Sequence, residues 1–152
     1  MADALSVAEA VATDRDDWLR LWDGWQHHMA GRVPETATDA AWRMMMTPGS
    51  GLAALIARSD RTAVGFATVS LTPFAWTGGP ILFLQDLFVA PAARGTGTGT
   101  ALLKAVYGFA ERESASQVFW MVDENDPELQ GFYERHAIRT PYLRYMRKDW
   151  AW

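Results

Sequence analysis

Ile81-Leu82-Phe83-Leu84-Gln85-Asp86-Leu87-Phe88-Val89 and, shortly after it, Arg94-Gly95-Thr96-Gly97-Thr98-Gly99 decide how this chain reads. The first stretch is apolar throughout except at Gln85 and Asp86, the pattern of a strand covered on both faces. Polar side chains at the centre of such a strand cost roughly 2–7 kcal/mol unless they are hydrogen-bonded. Neighbours in a strand point to opposite faces, so one of the two can face a cleft while the other ties down a loop; a purely structural network is the alternative for each. In the second stretch, three glycines at alternate positions remove every Cβ from one edge of a loop that leads into a helix. Successive backbone N–H groups can then turn toward a single anion, reinforced by the positive end of the helix dipole. That is a phosphate cradle; a flexible turn before a helix is the plainer reading.

Two other phosphate motifs can be tested on the same residues. No Gly-Lys-Ser or Gly-Lys-Thr follows at P-loop spacing, and G-x-G-x-x-G fails at Thr100 and again at Leu102. A nucleoside triphosphatase and a dinucleotide-binding fold both lose ground. Asp123 or Glu124 does end the next apolar run where a ribose-binding acid would stand, but the loop starts several residues beyond its strand and too little chain remains for a doubly wound sheet.

Working outward, Ser6 to Val11 reads as a strand, and Thr13 as the cap of a helix with Asp14, Asp16 and Asp17 in its first turn and Trp18, Leu19, Trp22 and Trp25 along it. Gln26 to Pro34 breaks that pattern. A second helix opens at Thr38, runs through Trp42 and Met45, and stops before Pro48-Gly49. Gly51 to Arg58, Thr62 to Leu71 and Pro80 to Val89 read as three strands whose short polar connections make them antiparallel neighbours. Leu102, Val106, Phe109 and Ala110 then form the stripe of a helix ending near Glu113, followed by a strand from Gln117 to Val122. Strand, helix, strand in that order makes Pro80–Val89 and Gln117–Val122 parallel. Asp126 caps a helix with Pro127 at its first position and Leu129 and Phe132 on its core face, and a final strand lies near Tyr142 to Arg147. The expected fold is α/β (α+β): a mixed, mostly antiparallel central sheet with one parallel strand pair and flanking helices.

Length and composition bound the rest. The 152 residues suit one domain spanning 1–152. A net charge of −4 lacks the basic excess that drives nucleic-acid binding, so no nucleic-acid partner is expected. No cysteine is present, no apolar run nears 18 residues, and Met1 to Ser6 lacks a basic start followed by an apolar segment, which together point to a cytoplasmic protein without a membrane partner. Of eight tryptophans, Trp18, Trp22, Trp25 and Trp42 fall in the first third, as core packing or as an aromatic ligand pocket.

Leu84-Gln85-Asp86-Leu87-Phe88-Val89, Pro91 and Arg94-x-x-Gly97-x-Gly99, with Trp120-x-Val122-x-x-Asn125 and Phe132-Tyr133 after them, resemble the two linked signature blocks of the GCN5-related N-acetyltransferase (GNAT) superfamily. The resemblance covers Leu84 to Ala137 and implies the GNAT fold, with acetyl-CoA as co-substrate and no metal. It implies that Arg94, Gly95, Thr96, Gly97, Thr98 and Gly99 bind the pyrophosphate, and that the backbone of Leu87, Phe88 and Val89 serves the pantetheine arm and the oxyanion. Asn125 would hold the pantetheine or a loop backbone, an ordinary turn asparagine being the alternative. Tyr133 would protonate the leaving thiolate, a plain packing tyrosine being the alternative. Gln85 stands where polyamine-acetylating relatives carry a glutamate, and glutamine cannot accept a proton. Asp86 and His28 are therefore the candidates to relay the amine's proton, with His27 and His28 as surface histidines the alternative.

Trp22, Trp25, His28, Met29 and Gln85 are expected around the acceptor, in the segment that lines the acceptor site in the resembled fold. No Asp or Glu lies between Gly24 and Pro34, which favours a small primary amine with an apolar or aromatic body. A homodimer is compatible with the sequence. The alternatives to an N-acetyltransferase are a non-catalytic acyl-CoA sensor and a dinucleotide-dependent oxidoreductase.

Overall fold

In the computed structural model, which describes residues 4–149, the apolar runs form one sheet of five strands ordered β1 to β5. These are β1 (Leu5–Glu9), β2 (Leu52–Ser59), β3 (Thr62–Phe74), β4 (Gly79–Val89) and β5 (Val118–Phe119). The first four are antiparallel neighbours, and β5 lies parallel to β4, pairing Val118 with Leu82 and Phe119 with Phe83. The mixed sheet with one parallel pair is as the sequence predicts. The chain divides into two compact units, Met1–Trp120 and Met121–Trp152.

In the first unit, α1 (Arg15–His28) and α2 (Glu35–Met45) cover one face of the sheet. Trp18, Leu21 and Trp22 from α1 and Trp42 and Met45 from α2 bury against Ala54, Ile56, Phe66 and Phe88. Trp18 stacks on Trp22 at 5.2 Å and meets Trp42 at the same distance, so these rings build core. On the opposite face lies α3 (Thr98–Arg112), which buries Leu102, Leu103, Val106, Phe109 and Ala110. An ion-pair group fastens the start of α1 to β2: Arg58 reaches Asp14 at 2.8 Å and Asp17 at 3.3 Å.

Several element ends differ from the sequence reading. Thr13 does not cap α1; it lies in a 3-10 turn, Ala12–Asp14, and the Asp14 carboxylate accepts from the Val11 N–H at 2.8 Å. Thr38 does not open α2, which begins at Glu35 after Pro34; Thr38 is buried and takes the Trp22 indole N–H on its hydroxyl at 3.1 Å. The first helix runs on through His27 and His28, so both histidines are helical rather than in the following loop.

In the second unit, α4 (Pro127–Glu134) starts as expected, the Asp126 carboxylate accepting from the Leu129 N–H at 2.9 Å. It buries no residue, and Leu129, expected on a core face, is exposed. The strand expected over Gln117 to Val122 is only Val118–Phe119, and the one expected near Tyr142 to Arg147 is absent: among the described residues no strand follows β5, so that segment has no ladder to join. No helix of the described residues is long and apolar enough to cross a membrane.

Candidate functional site

The register of β3 and β4 explains why the two polar residues sit together. Val69 pairs with Leu84 and Thr68 with Asp86, so Gln85 is the extra residue of a β-bulge. Before the bulge the even-numbered residues Leu82 and Leu84 share the α3 face with Val69. After it, the even-numbered Asp86 and Phe88 share the α1 face with Thr68 and Phe66. One inserted residue thus exchanges the faces of the strand and leaves Gln85 itself exposed.

The same strand changes neighbours at this point. β5 accompanies β4 only at Leu82 and Phe83, so among the described residues no strand lies on that side of β4 from Leu84 to Val89, where β3 alone is its neighbour. Ala90 N–H donates to Val64 O at 2.8 Å, which places the Ala90, Phe88 and Asp86 backbones toward β3. By alternation, the backbone groups of Leu87 and Val89 face the open edge. Val89 O is already in use there, accepting from Arg94 Nε at 3.1 Å, while the Arg94 guanidinium lies 6.0 Å from the Phe88 ring centre.

Arg94 follows a 3-10 turn, Pro91–Ala93, and the chain then passes through Gly95 at φ 74° and Gly97 at φ 87° before α3 begins. Only glycine adopts these angles freely. A Cβ built on either residue meets no atom within 4 Å, so the segment borders open space at the N-terminus of a 15-residue helix. Thr98 and Gly99 belong to α3 rather than to the loop. Thr96 braces the turn, donating to Ala93 O at 2.6 Å and lying 3.0 Å from the Thr98 hydroxyl, whose residue is buried.

Asp86 is the half-buried titratable group of this region. Desolvation pushes its carboxyl up to about 6, and the neighbouring Thr68 hydroxyl offsets part of that rise. Thr68 Oγ1 is itself buried and makes no hydrogen bond of ordinary geometry, so the offset is a weak one. The His28 ring lies 6.4 Å from the Phe88 ring, bringing the end of α1 over this half of β4. Trp22 is core and Trp25 stacks on it at 4.7 Å, whereas Met29 is exposed. Among the described residues no three His, Cys, Asp or Glu side chains are grouped as a metal site would require.

In the second unit, Asn125 lies in the turn before α4, where its own N–H and its side-chain amide both donate to Asp123 Oδ1, at 2.8 and 3.2 Å. Tyr133 sits on α4 with its ring 5.2 Å from that of Phe132. Burial pushes its phenol up to about 12.

The description of the acetyltransferase (GNAT) family matches residues 13–137. This chain belongs to that family. It is 25% identical to the D-amino-acid N-acetyltransferase HPA3 of Saccharomyces cerevisiae over 97% of this chain and 93% of that one. It is 31% identical to an aminoglycoside N(6')-acetyltransferase type 1 of Klebsiella aerogenes over 73% of this chain and 74% of that one. Among solved structures, an aminoglycoside N-acetyltransferase AAC(6')-Iy in complex with CoA superposes with a TM-score of 0.83 at 22% identity, covering 98% of this chain and 97% of that one. At that identity the likeness shows the shared fold.

Two features of this acetyltransferase escape a reading of its sequence. Gly65 on β3 lies opposite Val89, and a Cβ there would stand 2.7 Å from Phe88 O and 3.2 Å from Leu102. It lets α3, with the glycine loop at its head, approach the strand pair closely; a lone glycine inside a strand pattern is the signal that could have found it. The second is a cleft of about 700 Å³ between α1 and α2, lined by Trp22, Asp23, Gln26, Arg32, Glu35 and Asp39 among others. Its carboxylates fall just outside the acid-free stretch from Gly24 to Pro34.

Proposed function

We propose that this chain acts over residues 1–152 as one acyl-CoA N-acyltransferase domain in the cytoplasm, moving an acetyl group from acetyl-CoA to a primary amine of a small molecule. The observation that carries this reading is the continuity, within one unit, of the open β4 edge with the positive-φ loop at the head of α3. The loop from Arg94 to Gly99 binds the pyrophosphate, and the free edge at Leu87 and Val89 receives the pantetheine arm as an added strand would be received. Arg94 must then leave Val89 O, which frees that carbonyl for the arm and the guanidinium for phosphate.

The amine attacks the thioester carbonyl directly, and the tetrahedral intermediate collapses with release of the coenzyme A thiol. The Leu87 N–H on the open edge serves the oxyanion. An amine with a lysine-like pKa near 10.4 costs about 4.6 kcal/mol to neutralise at pH 7. Asp86, raised to about 6, narrows the gap to that amine by 2.2 units from 3.8, about 3 kcal/mol, and is still ionised at neutral pH. His28 is the second candidate for the relay. Tyr133 donates toward the departing thiolate; with its phenol near 12, full transfer to a thiol of roughly 8.5 is uphill by about 5 kcal/mol, so donation must be concerted with C–S cleavage. The amide of Asn125 supports the pantetheine side.

The relatives named for D-amino acids and aminoglycosides support a small polar amine. The test has two arms. Coenzyme A, NAD and ATP are compared by thermal shift, with stabilisation by coenzyme A expected. Thiol release from acetyl-CoA is then followed over an arylalkylamine, a D-amino acid, an aminoglycoside and spermidine. Stabilisation by coenzyme A with no thiol release from any amine would make the chain an acyl-CoA binder, and stabilisation by NAD alone would overturn the reading.

A further inference from the structure

Thr68 is the one polar residue in the run from Ala63 to Val69 on β3. It pairs with Ala54 on β2 and with Asp86 on β4, and the same face carries Phe66 and Phe88 beside it. The residue is 3% exposed, and its hydroxyl is buried without a hydrogen-bond partner of ordinary geometry. A buried hydroxyl left unpaired costs free energy, and valine would fill the same volume of a strand without that cost. Ala54, Phe66 and Phe88 have no side-chain acceptor to offer it. Asp86 has one: directly opposed residues of an antiparallel pair hold their Cβ atoms roughly 4.5–5.5 Å apart, close enough for a threonine hydroxyl to reach a carboxylate. An ionised carboxylate only accepts hydrogen bonds, and when half-buried it needs a donor.

We propose that Thr68 is a positioning residue for Asp86: its hydroxyl donates to one oxygen of the ionised carboxylate and leaves the other free for the acceptor amine. This rests on the reading of Asp86 as the relay for the amine's proton. As the C–N bond forms, that proton passes to the free carboxylate oxygen, and the Thr68 proton stays on its hydroxyl. Such hydrogen bonds are often long in a free enzyme and tighten in the complex with substrate. The charged or titratable groups brought to this part of β4 are His28 at the end of α1, whose ring lies 6.4 Å from that of Phe88, and Arg94, 6.0 Å from the same ring. Among the described residues neither forms an ion pair with Asp86, and β2 and β3 set only Ala54 and Thr68 in its row.

Carbon-13 NMR of the aspartate carboxyls in the full chain, without substrate, reads Asp86 as the resonance that Asp86→Asn removes. The parent should titrate near 6. Thr68→Val removes a donor that favours the charged form, so the midpoint should rise by about one unit, and Thr68→Ser, which keeps the hydroxyl, should titrate as the parent does. The rise of kcat/KM with pH should move with the midpoint in each chain, while KM for acetyl-CoA stays unchanged. Packing gives the opposite order: serine loses a buried methyl group and should melt lower, whereas valine keeps the volume. A midpoint that Thr68→Val leaves in place overturns the proposal, as does one that Thr68→Ser moves equally far. A midpoint that moves while the pH profile of kcat/KM stays fixed keeps the hydrogen bond but takes Asp86 out of the relay, and so overturns the positioning role. Absence of thiol release from every amine is a separate failure, that of the acetyltransferase reading, because the titration needs no turnover. If Thr68→Val fails to fold by circular dichroism, Thr68→Ala, smaller and also without the hydroxyl, takes its place.

Discussion

The two halves of β4 differ more than any other two neighbouring stretches of this protein. Leu82 and Leu84 lie between or beside paired strands, are buried under α3, and have a packing role that any aliphatic strand could fill. Asp86 to Val89, starting two residues after Leu84, pair on one side only, carry a half-buried carboxyl, and present backbone groups to an edge with no strand among the described residues. One residue, Gln85, divides them. The lesson is that a bulge can convert a core strand into a site without changing its composition: it exchanges the two faces and bends the strand, so that the same alternation places Leu84 in one core and Asp86 under the opposite helix layer.

The most direct way to break this contrast is to delete Gln85. Without it, Leu84 and Asp86 would follow one another as partners of Val69 and Thr68, so each keeps its face while the bend between the two halves is lost; we predict a loss of about 3 kcal/mol of coenzyme A binding, roughly 100-fold, read by calorimetry on a chain that still folds. Gln85→Ala keeps the bulge count and should cost less than about 0.5 kcal/mol, since the side chain is exposed. Equal effects from the two changes would mean that the side chain, not the extra residue, matters. Leu84→Ala tests the core half. Its residue is 3% exposed, so the expected destabilisation is about 3 kcal/mol with coenzyme A affinity of the folded fraction unchanged.

Asp86→Asn should invert that result, raising stability while lowering activity. The folded carboxyl holds its proton more tightly than the unfolded one, about 6 against 3.8, so the stability it confers is fully present below pH 3.8 and is lost as pH rises to about 6. At pH 7 the deficit is 2.2 units, up to about 3 kcal/mol, and the variant should melt some 6–12 °C higher there and close to the parent below pH 4. Its kcat/KM should fall roughly 10²- to 10³-fold and lose the rise with pH that the parent shows through about 6. An unchanged pH profile would return Asp86 to a structural network with Thr68. The loop gives a smaller effect than Asp86. Gly97→Val has open space for its side chain, so the cost arises from φ 87° alone, about 2 kcal/mol, and calorimetry should show a roughly 30-fold loss of coenzyme A affinity. Undiminished affinity would reduce the glycines to a turn.

What the sequence by itself determined was whatever rests on short-range pattern: the apolar alternation of β2 to β4, the 3.6-residue stripe of α3, the Asp126-Pro127 helix start, and a glycine loop whose chemistry needs no long-range information. The linked signature blocks set the family from residues alone. What only the tertiary structure decided depends on partners distant in the chain. Thr38 could be a helix cap on local grounds, but the Trp22 indole claims its hydroxyl; Gly65 is an unremarkable strand glycine until Phe88 O and Leu102 close on it. Alternation alone cannot say which of Gln85 and Asp86 turns inward, because the face depends on a register set by pairing with Thr68 and Val69. A strand likewise needs a neighbour to bond with, and composition does not supply one. Tyr142 to Arg147 therefore has the residues of a strand but forms none among the described residues.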